Sequence, residues 1–239
     1  MSVTHANASD DRVQLQARRG PLHERLAPLA SVWQSRNGYQ ACMRVHTDAH
    51  EHAAASNGPW LRCLTHQPRI GFKGRGSSDW LHGVGVSLPA APNRWCHDAS
   101  GAVVGRLGAQ DFIIFDEGDG VTNLPHSLAE RWQSAAPRGC YIVPRQHSLA
   151  CIALDGVRAP ELLARLCAVD LAPAGFAEDA IAQTQVALMS AVVLRLGDGA
   201  PSYRLFVDTS LALYCWDVLH EVAEDMGGGV RGALQGPHA

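Results

Sequence analysis

The stretch Ile70-Gly71-Phe72-Lys73-Gly74 is matched in character by Ile152-Ala153-Leu154-Asp155-Gly156, 82 positions further along the chain. Each stretch has the pattern of a short apolar strand that ends at a glycine, and each is followed by an apolar stripe at helical spacing. The stripe residues are Trp80, Leu81 and Val84 in the first copy and Leu162, Leu163 and Leu166 in the second. Similarity at a fixed offset predicts a duplicated structural unit.

Each copy continues with a pair of strands. Apolar runs over 102–107 and 112–115 predict a hairpin in the first copy. In the second copy the corresponding runs cover 188–196 and 203–207, and the Gly/Asp/Pro cluster between them is typical of a turn.

A further helix closes each copy. Ser127 and Glu130 have capping-box spacing at the start of the first closing helix, and Thr209 or Ser210 is the expected cap of the second. The order strand, helix, strand, strand, helix is that of a ferredoxin-like unit. The sequence therefore predicts an α+β fold made of duplicated ferredoxin-like βαββα halves.

These units set the expected organisation of the chain. Residues 1–58 are predominantly polar and predict a partly extended N-terminal arm, 59–143 the first half and 144–226 the second. Residues 227–239 begin with three glycines and predict a flexible tail. Helices cover only one face of each sheet, so a second copy, another layer, a ligand or a partner must cover the other face.

Composition excludes several classes of protein. The chain has 239 residues, 46% of them apolar, and a net charge of −3 with dispersed basic residues, which argues against nucleic-acid binding. We find neither a signal-peptide pattern nor an apolar run of membrane-spanning length, so we expect a cytoplasmic protein that does not contact a membrane. Seven cysteines without a C-x-x-C motif do not predict a disulfide framework.

With these motifs placed, the chain resembles the gamma subunit of heterotetrameric sarcosine oxidase, within the folate-binding superfamily of the glycine cleavage T-protein. The segments that carry the resemblance, between about residues 60 and 225, are Arg69–Gly74 with Trp80-Leu81, Leu88–Trp95, Arg106–Gly108, Leu154–Gly156, Leu162-Leu163, Asp170-Leu171, Gln183–Val186 and Tyr203–Leu213. The resemblance implies the T-protein-like folate-binding fold. It also implies larger partner subunits that carry flavin, oxidise an N-methylated amine and pass its one-carbon unit to tetrahydrofolate.

No residue is assigned a catalytic role. The T-protein carries its catalytic carboxylate in a Gly-Gly-x-x-Asp segment that this chain lacks. The nearest acidic cluster, Asp116-Glu117-Gly118-Asp119, is interpreted as a solvated turn after a strand. Aminomethyl transfer is therefore not carried over to this chain.

The densest histidine group is His46, His50 and His52. His46 and His50 could share a helix face as metal ligands, but the segment lacks an H-E-x-x-H arrangement, and we favour a solvent-facing segment without metal. A metal-dependent hydrolase built on this group is kept as a third hypothesis.

Other reactive groups have simpler explanations. The glycines around Lys73 do not match a phosphate-binding loop, and Gly74 fits a strand-to-helix turn like its counterpart Gly156. Cys151 and Cys167 lie in apolar segments and are expected to pack in the core. His147 could act as a base, although a lone histidine before a strand more often forms a local hydrogen bond.

The predicted folate or partner contacts are Arg145, Thr184, Arg195, Tyr203 and Arg204. A guanidinium can hold a carboxylate through two parallel hydrogen bonds, which suits a folate glutamyl tail or an acidic interface. The alternative is that these arginines are exposed to solvent on their strands.

Two functional hypotheses follow. The first is a small, non-catalytic subunit of a multi-subunit, flavin- and folate-linked complex that oxidises and demethylates N-methylamines of the sarcosine type, with no cofactor bound by this chain alone. The second is a subunit that itself binds tetrahydrofolate and accepts the one-carbon unit, in a demethylating amine monooxygenase or an aminomethyltransferase-like protein.

Overall fold

The computed structural model describes residues 17–45, 58–117, 122–135, 137–196 and 199–234. The strands in these residues are β1 (Arg18–Arg19), β2 (Ala30–Arg36), β3 (Tyr39–Val45), β4 (Trp60–Cys63), β5 (Arg69–Lys73), β6 (Arg94–His97), β7 (Val103–Gly108), β8 (Asp111–Phe115), β9 (Tyr141–Val143), β10 (Leu149–Asp155), β11 (Ile181–Val186), β12 (Met189–Leu196), β13 (Ser202–Asp208) and β14 (Gly229–Val230). The helices are α1 (His23–Leu26), α2 (Ser77–Gly83), α3 (Leu124–Ala135), α4 (Arg145–Ser148), α5 (Ala159–Leu166) and α6 (Ala212–Asp225), with a 3-10 turn over Thr209–Leu211.

The strands form three sheets. The N-terminal sheet has the order β1-β3-β2, the first large sheet β6-β7-β8-β5-β9, and the second large sheet β11-β12-β13-β10-β4-β14. The mixed α+β class predicted from the sequence is confirmed. Both predicted hairpins are present as β7–β8 and β12–β13.

Three clusters of buried side chains define the layers. One lies between the second large sheet and helices α5 and α6, with Trp216 1% exposed. Another lies between the two large sheets and includes Phe115 and Phe206. The remaining cluster lies between the first large sheet and helices α2 and α3, around Phe72 and Leu128. The order is therefore helix, sheet, sheet, helix, and each sheet covers the face that the helices of the other leave open.

The strand-to-helix turns after β5 and β10 have the same geometry. Gly74 and Gly156 have φ angles of 120° and 115°, a region that favours glycine. The backbone N–H of Ser77 donates to the carbonyl oxygen of Gly74 at 2.9 Å, and the N–H of Ala159 donates to the carbonyl oxygen of Gly156 at 3.0 Å. A Cβ atom on Gly74 would lie 2.3 Å from a backbone oxygen, which explains the glycine without any bound phosphate.

Two strands are exchanged between the large sheets. Strand β4 comes before β5 in the chain but pairs with β10, with Trp60 opposite Asp155. Strand β9 comes before β10 but pairs with β5, with Tyr141 opposite Lys73. Counted by the 82-residue offset, β9 takes the place of β4, so each of these two strands pairs with the other copy of the repeat. Of the predicted halves, 59–143 supplies the whole first large sheet and also β4 of the second large sheet.

Part of the segment predicted as an arm is folded. Strands β2 and β3 form an antiparallel hairpin, and Leu22 and Leu26 are 0% and 3% exposed. Both leucines belong to the cluster under α6, so a few apolar residues anchor an otherwise polar segment. Residues 1–16 and 46–57 lie outside the described ranges.

The start of the predicted tail is also paired. Strand β14 runs parallel to β4, and the N–H of Ala233 donates to Cys42 of the N-terminal sheet at 2.9 Å. The backbone of residues 229–234 thus links two sheets.

Both helix caps differ from the prediction. Helix α3 begins at Leu124, whose N–H donates to Thr122 Oγ1 at 3.2 Å, so Ser127 lies inside the helix and the capping-box prediction is wrong. Before α6, the carboxylate of Asp208 accepts a hydrogen bond from the N–H of Ser210 at 2.8 Å and caps the 3-10 turn.

Among the described helices, none combines the length and apolar character needed to span a membrane.

Candidate functional site

A cleft of about 810 Å³ lies where β10 begins and β13 ends, and we call it the open cleft. The residues that line it are Arg145, Leu149, Leu166, Ala168, Gln183, Thr184, Gln185, Leu188, Ser190, Ala191, Val192, Phe206 and Asp208. This volume and the mainly apolar wall with a few polar groups are typical of small-molecule sites.

Arg145 supplies the positive charge of the open cleft. Its Nη2 is 3.1 Å from Asp111 Oδ1, and the other oxygen of Asp111 is 3.1 Å from Lys73 Nζ. Two cations therefore share one carboxylate. The Nε atom of Arg145 is buried without a hydrogen-bond partner in the described structure, so the guanidinium retains a donor.

Polar groups from strands β11 and β13 complete the wall. Thr184 on β11 is 3.8 Å from Cys167 Sγ and has a partly buried hydroxyl. Gln183 donates to Asn93 Oδ1 at 2.7 Å and to the Leu107 carbonyl at 2.6 Å, so its amide is held against the first large sheet. Asp208 at the end of β13 adds a carboxylate whose pKa is lowered by hydrogen bonds from Ser210.

The structure thus brings together two of the five predicted contact residues, Arg145 and Thr184. Sequence reasoning missed Asp111 and Lys73, which set the electrostatics around Arg145. Each lies at the end of a strand, but the sequence carries no signal that these strands are neighbours.

Arg195 and Tyr203 stabilise a loop instead of lining the cleft. Arg195 donates to the Phe176 carbonyl at 3.0 Å and lies 3.5 Å from Glu178. The Tyr203 hydroxyl donates to the Leu171 carbonyl at 2.6 Å. Its burial raises the pKa of Tyr203 to about 12, so the phenol remains a hydrogen-bond donor.

Arg204 belongs to a buried ionic network. Its Nη2 is 2.8 Å from Glu117 Oε1 and its Nη1 is 3.6 Å from Asp155 Oδ1. Arg62 Nε lies 2.6 Å from the other oxygen of Asp155. Burial would raise the pKa of Asp155, but the charges of Arg204 and Arg62 outweigh it and hold the pKa below its usual value.

Two sequence interpretations are therefore wrong. Arg195 and Arg204 are 7% and 4% exposed, so neither is a solvated strand arginine. Asp116 is 0% exposed and accepts a hydrogen bond from Thr122, and Glu117 pairs with Arg204, so these acids do not form a solvated turn. Burial raises the pKa of Asp116, with the hydrogen bond from Thr122 opposing the shift. Gly118 and Asp119 lie outside the described residues.

The remaining reactive side chains named in the sequence analysis pack in the core, form hydrogen bonds within the chain, or lie outside the described residues. Cys151 packs between the large sheets, where burial raises its pKa to about 11, and Cys167 packs under the helices. His147 Nδ1 lies 3.0 Å from the hydroxyl of Tyr39, 108 residues earlier in the chain, so this hydrogen bond is not a local one. His46, His50 and His52 fall outside the described residues, and the described residues contain no group of three His, Cys, Asp or Glu side chains that could hold a metal.

Comparison with known proteins gives structural likenesses alone. No family model and no curated protein sequence matches the chain. The fold is similar to a chain of heterotetrameric sarcosine oxidase from Corynebacterium sp. U-96, solved in complex with pyrrole 2-carboxylate, with a TM-score of 0.65 and 20% identity over 89% of this chain and 97% of that one.

The fold is also similar to the glycine cleavage system aminomethyltransferase T from Bartonella henselae, with a TM-score of 0.69 and 16% identity. That match covers 91% of this chain and 60% of the aminomethyltransferase, so this chain spans less than two thirds of the larger protein. At these identities the likeness concerns the backbone. The chain therefore has the T-protein-like fold that a sarcosine oxidase chain and an aminomethyltransferase share.

Proposed function

We propose that this chain is a small, non-catalytic subunit of a cytoplasmic, hetero-oligomeric complex that oxidises and demethylates N-methylated amines of the sarcosine type. In this proposal flavin is held by larger partner subunits, tetrahydrofolate accepts the one-carbon unit, and this chain braces the assembly. The seven cysteines, all free in the structure, are compatible with a reducing compartment.

The observation that carries the proposal is the nearly complete two-way match with a chain of the heterotetrameric sarcosine oxidase, which extends over 97% of that chain. Because fold alone does not establish function, the state of the polar groups matters as well. Arg195, Tyr203 and Arg204 make their contacts inside this chain, and such residues strengthen a scaffold.

The geometry of the two large sheets supports a duplicated architecture. We propose that 59–143 and 144–226 are related ferredoxin-like halves, and that β4 of the first half completes the sheet of the second. The support is the shared turn geometry at Gly74 and Gly156 and the matching strand orders of the two large sheets, in which β5 and β10 hold the same place.

Affinity capture of the tagged full-length chain from its native source tests the proposed assembly. We expect larger flavin-containing subunits to co-purify in a fixed ratio, and the captured complex to oxidise sarcosine or another N-methylated amine. The isolated chain should hold no flavin and show no turnover. Flavin bound by the chain alone, or capture of the chain without partners under low salt, would contradict the proposal.

The open cleft favours a second candidate, in which this chain itself binds tetrahydrofolate. Its volume suits a drug-sized ligand, its wall supplies apolar surface from Leu149 and Val192, and the guanidinium of Arg145 can receive a carboxylate. In this case the chain would hold the one-carbon acceptor beside the oxidising subunits.

Isothermal titration calorimetry with tetrahydrofolate separates the two candidates. Micromolar binding that weakens by about tenfold in Arg145→Gln supports folate binding in the open cleft, because one charge-assisted hydrogen bond is lost. Arg138→Gln removes an exposed charge seven residues earlier and should have no effect. If the wild-type chain gives no heat of binding with tetrahydrofolate, folate binding by this chain is ruled out and the bracing role is the remaining candidate.

A further inference from the structure

A second cavity, of about 430 Å³, lies where the N-terminal sheet meets the body of the protein, and we call it the basic pocket. Its walls come from β1, the β2–β3 turn, the start of β5, α3 and α4. The lining residues are Arg18, Asn37, Gly38, Tyr39, Pro68, Arg69, Ile70, Pro125, His126, Ala129, Gln146 and His147. It shares no lining residue with the open cleft.

The basic pocket contains a buried cation. Arg69 is 4% exposed. Among the described residues, the partners of its guanidinium are backbone carbonyl oxygens alone. These are the carbonyls of Thr65, Gln67, Arg145, Gln146 and Leu149, at 2.5 to 3.3 Å. No carboxylate of the described residues forms an ion pair with Arg69. The carbonyl dipoles solvate the guanidinium without cancelling its net charge, which therefore acts on the adjoining cavity.

A second cation lies at the mouth of the basic pocket. Arg18 is exposed, and its guanidinium has neither a hydrogen bond nor an ion pair with any residue in the part of the chain that the structure describes. The lining residues include no Asp or Glu. Asp116 interacts electrostatically with the neighbouring His126 and partly offsets the positive charge.

Two histidines are held in place at the pocket wall. His147 Nδ1 lies 3.0 Å from the Tyr39 hydroxyl, and His126 Nε2 lies 3.0 Å from Asn37 Oδ1. Each contact uses one ring nitrogen. The second nitrogen of each ring has no hydrogen-bond partner among the described residues and can donate to a ligand when it carries a proton.

We propose that the basic pocket binds a small oxyanion, the carboxylate or phosphate group of a metabolite. Arg18 supplies a bidentate ion pair at the mouth, His147 and His126 supply hydrogen-bond donors, and the buried charge of Arg69 favours an anion over a neutral ligand. The site is independent of the proposed function, because it depends on the N-terminal sheet and not on the open cleft.

Titration of the full chain with inorganic phosphate and with succinate tests the proposal and separates the two anion classes. We expect saturable binding with a Kd below about 1 mM for at least one probe. Tighter binding of phosphate assigns a phosphorylated ligand, and tighter binding of succinate assigns a carboxylate. If neither probe saturates by about 10 mM, the proposal is wrong.

Variants locate the binding. Arg18→Gln should weaken the preferred probe by about tenfold through loss of one charge-assisted pair. Arg19→Gln removes the neighbouring exposed arginine, which does not line the pocket, and should leave the affinity within about twofold. Equal effects of both variants would indicate non-specific charge attraction and overturn the site.

Imidazole NMR signals provide a second readout that does not depend on a folding-sensitive variant. With nitrogen-15-labelled histidine, the signals of His126 and His147 should shift on titration, whereas those of His82 and His220, on α2 and α6, should stay in place. Shifts of equal size in all four rings would contradict binding in the basic pocket.

Discussion

The rings of Phe115 and Phe206 meet edge-on between the two large sheets, with centroids 5.1 Å apart and planes inclined at 65°. The two residues hold equivalent strand positions. Phe115 pairs with Arg69 on β5, and Phe206 pairs with Cys151 on β10. Cys151 lies 82 positions after Arg69, which is the offset of the repeat. The contact is thus a point where matching positions of two similar sheets face each other.

This aromatic contact should be measurable as a coupling energy. Phe115→Ala and Phe206→Ala should each lower the free energy of unfolding by about 3–5 kcal/mol because both rings are buried. In a double-mutant cycle by urea denaturation the two changes should couple by about 0.5–1.5 kcal/mol. Phe72 lies on the other side of the first large sheet, so Phe72→Ala combined with Phe206→Ala should be additive.

The buried ionic network makes a second prediction. Asp155→Asn leaves Arg62 and Arg204 without their shared carboxylate, and we expect a loss of about 3–5 kcal/mol in the free energy of unfolding at pH 7. The exposed pair of Arg25 and Asp217 provides the control, and Asp217→Asn should cost no more than about 1 kcal/mol.

The pH dependence of Asp155 follows from the sign of its shift. Because the folded pKa lies below the unfolded value of about 3.9, the charge of Asp155 stabilises the protein above that value. The stabilisation is lost as the pH falls through the folded pKa. Acid unfolding of Asp155→Asn should lack this component, and an unchanged acid profile would contradict the network.

The sequence predicted the local elements well because their signals are local. The glycine that ends β5 or β10 and the stripe of Leu162, Leu163 and Leu166 on α5 lie within a few residues of each other. Periodicity and turn chemistry act over that range, so strands, helices and hairpins follow from them.

The sequence could not reveal which strands become neighbours. Trp60 on β4 pairs with Asp155, almost a hundred residues away, and nothing in either segment specifies the partner. For the same reason Arg204 is easily misinterpreted as a solvated arginine, since its partners Glu117 and Asp155 become adjacent only after the sheets stack. The sequence predicts Arg145 as a contact residue, whereas the cleft around it depends on β10, β12 and β13 lying side by side.

Asp116 should oppose folding at neutral pH. Its side chain is fully buried, one of its oxygens lacks a hydrogen bond in the described structure, and its pKa is raised by burial. A raised folded pKa means that stability falls as the pH rises from the unfolded value through the folded one.

We therefore expect Asp116→Asn to raise the free energy of unfolding at pH 7 by about 1 kcal/mol, with the gain vanishing below about pH 4. Asp179→Asn, at an exposed ion pair with Arg94, should change stability by less than about 0.5 kcal/mol. If Asp116→Asn instead lowers the free energy of unfolding by several kcal/mol, the charge of Asp116 stabilises the fold and the prediction is wrong.

The strand-to-helix turns should not tolerate a side chain. In Gly74→Ala and Gly156→Ala the new Cβ would lie 2.3 Å and 2.5 Å from backbone oxygens, at positive φ, and we expect each variant to lose about 3 kcal/mol or more. Gly83 in α2 has open space around it, so Gly83→Ala should gain about 0.5–1 kcal/mol. Thermal unfolding of the three variants compares them directly, and similar melting temperatures would contradict the tight turns.

The pairing of β4 with β10 and of β9 with β5 predicts that two fragments cut between α3 and β9 do not fold alone. A cut between α3 and β9, giving fragments 1–137 and 138–239, leaves β4 on one fragment while the strand that it pairs with, β10, is on the other. It also separates β9 from β5. Each large sheet then lacks a strand and exposes an edge, so neither fragment should show a cooperative unfolding transition.

Mixing the fragments should restore the circular dichroism spectrum and the unfolding transition of the intact chain, because both strand pairs can re-form. A cooperative transition in either fragment by itself would show that the exchanged strands are dispensable.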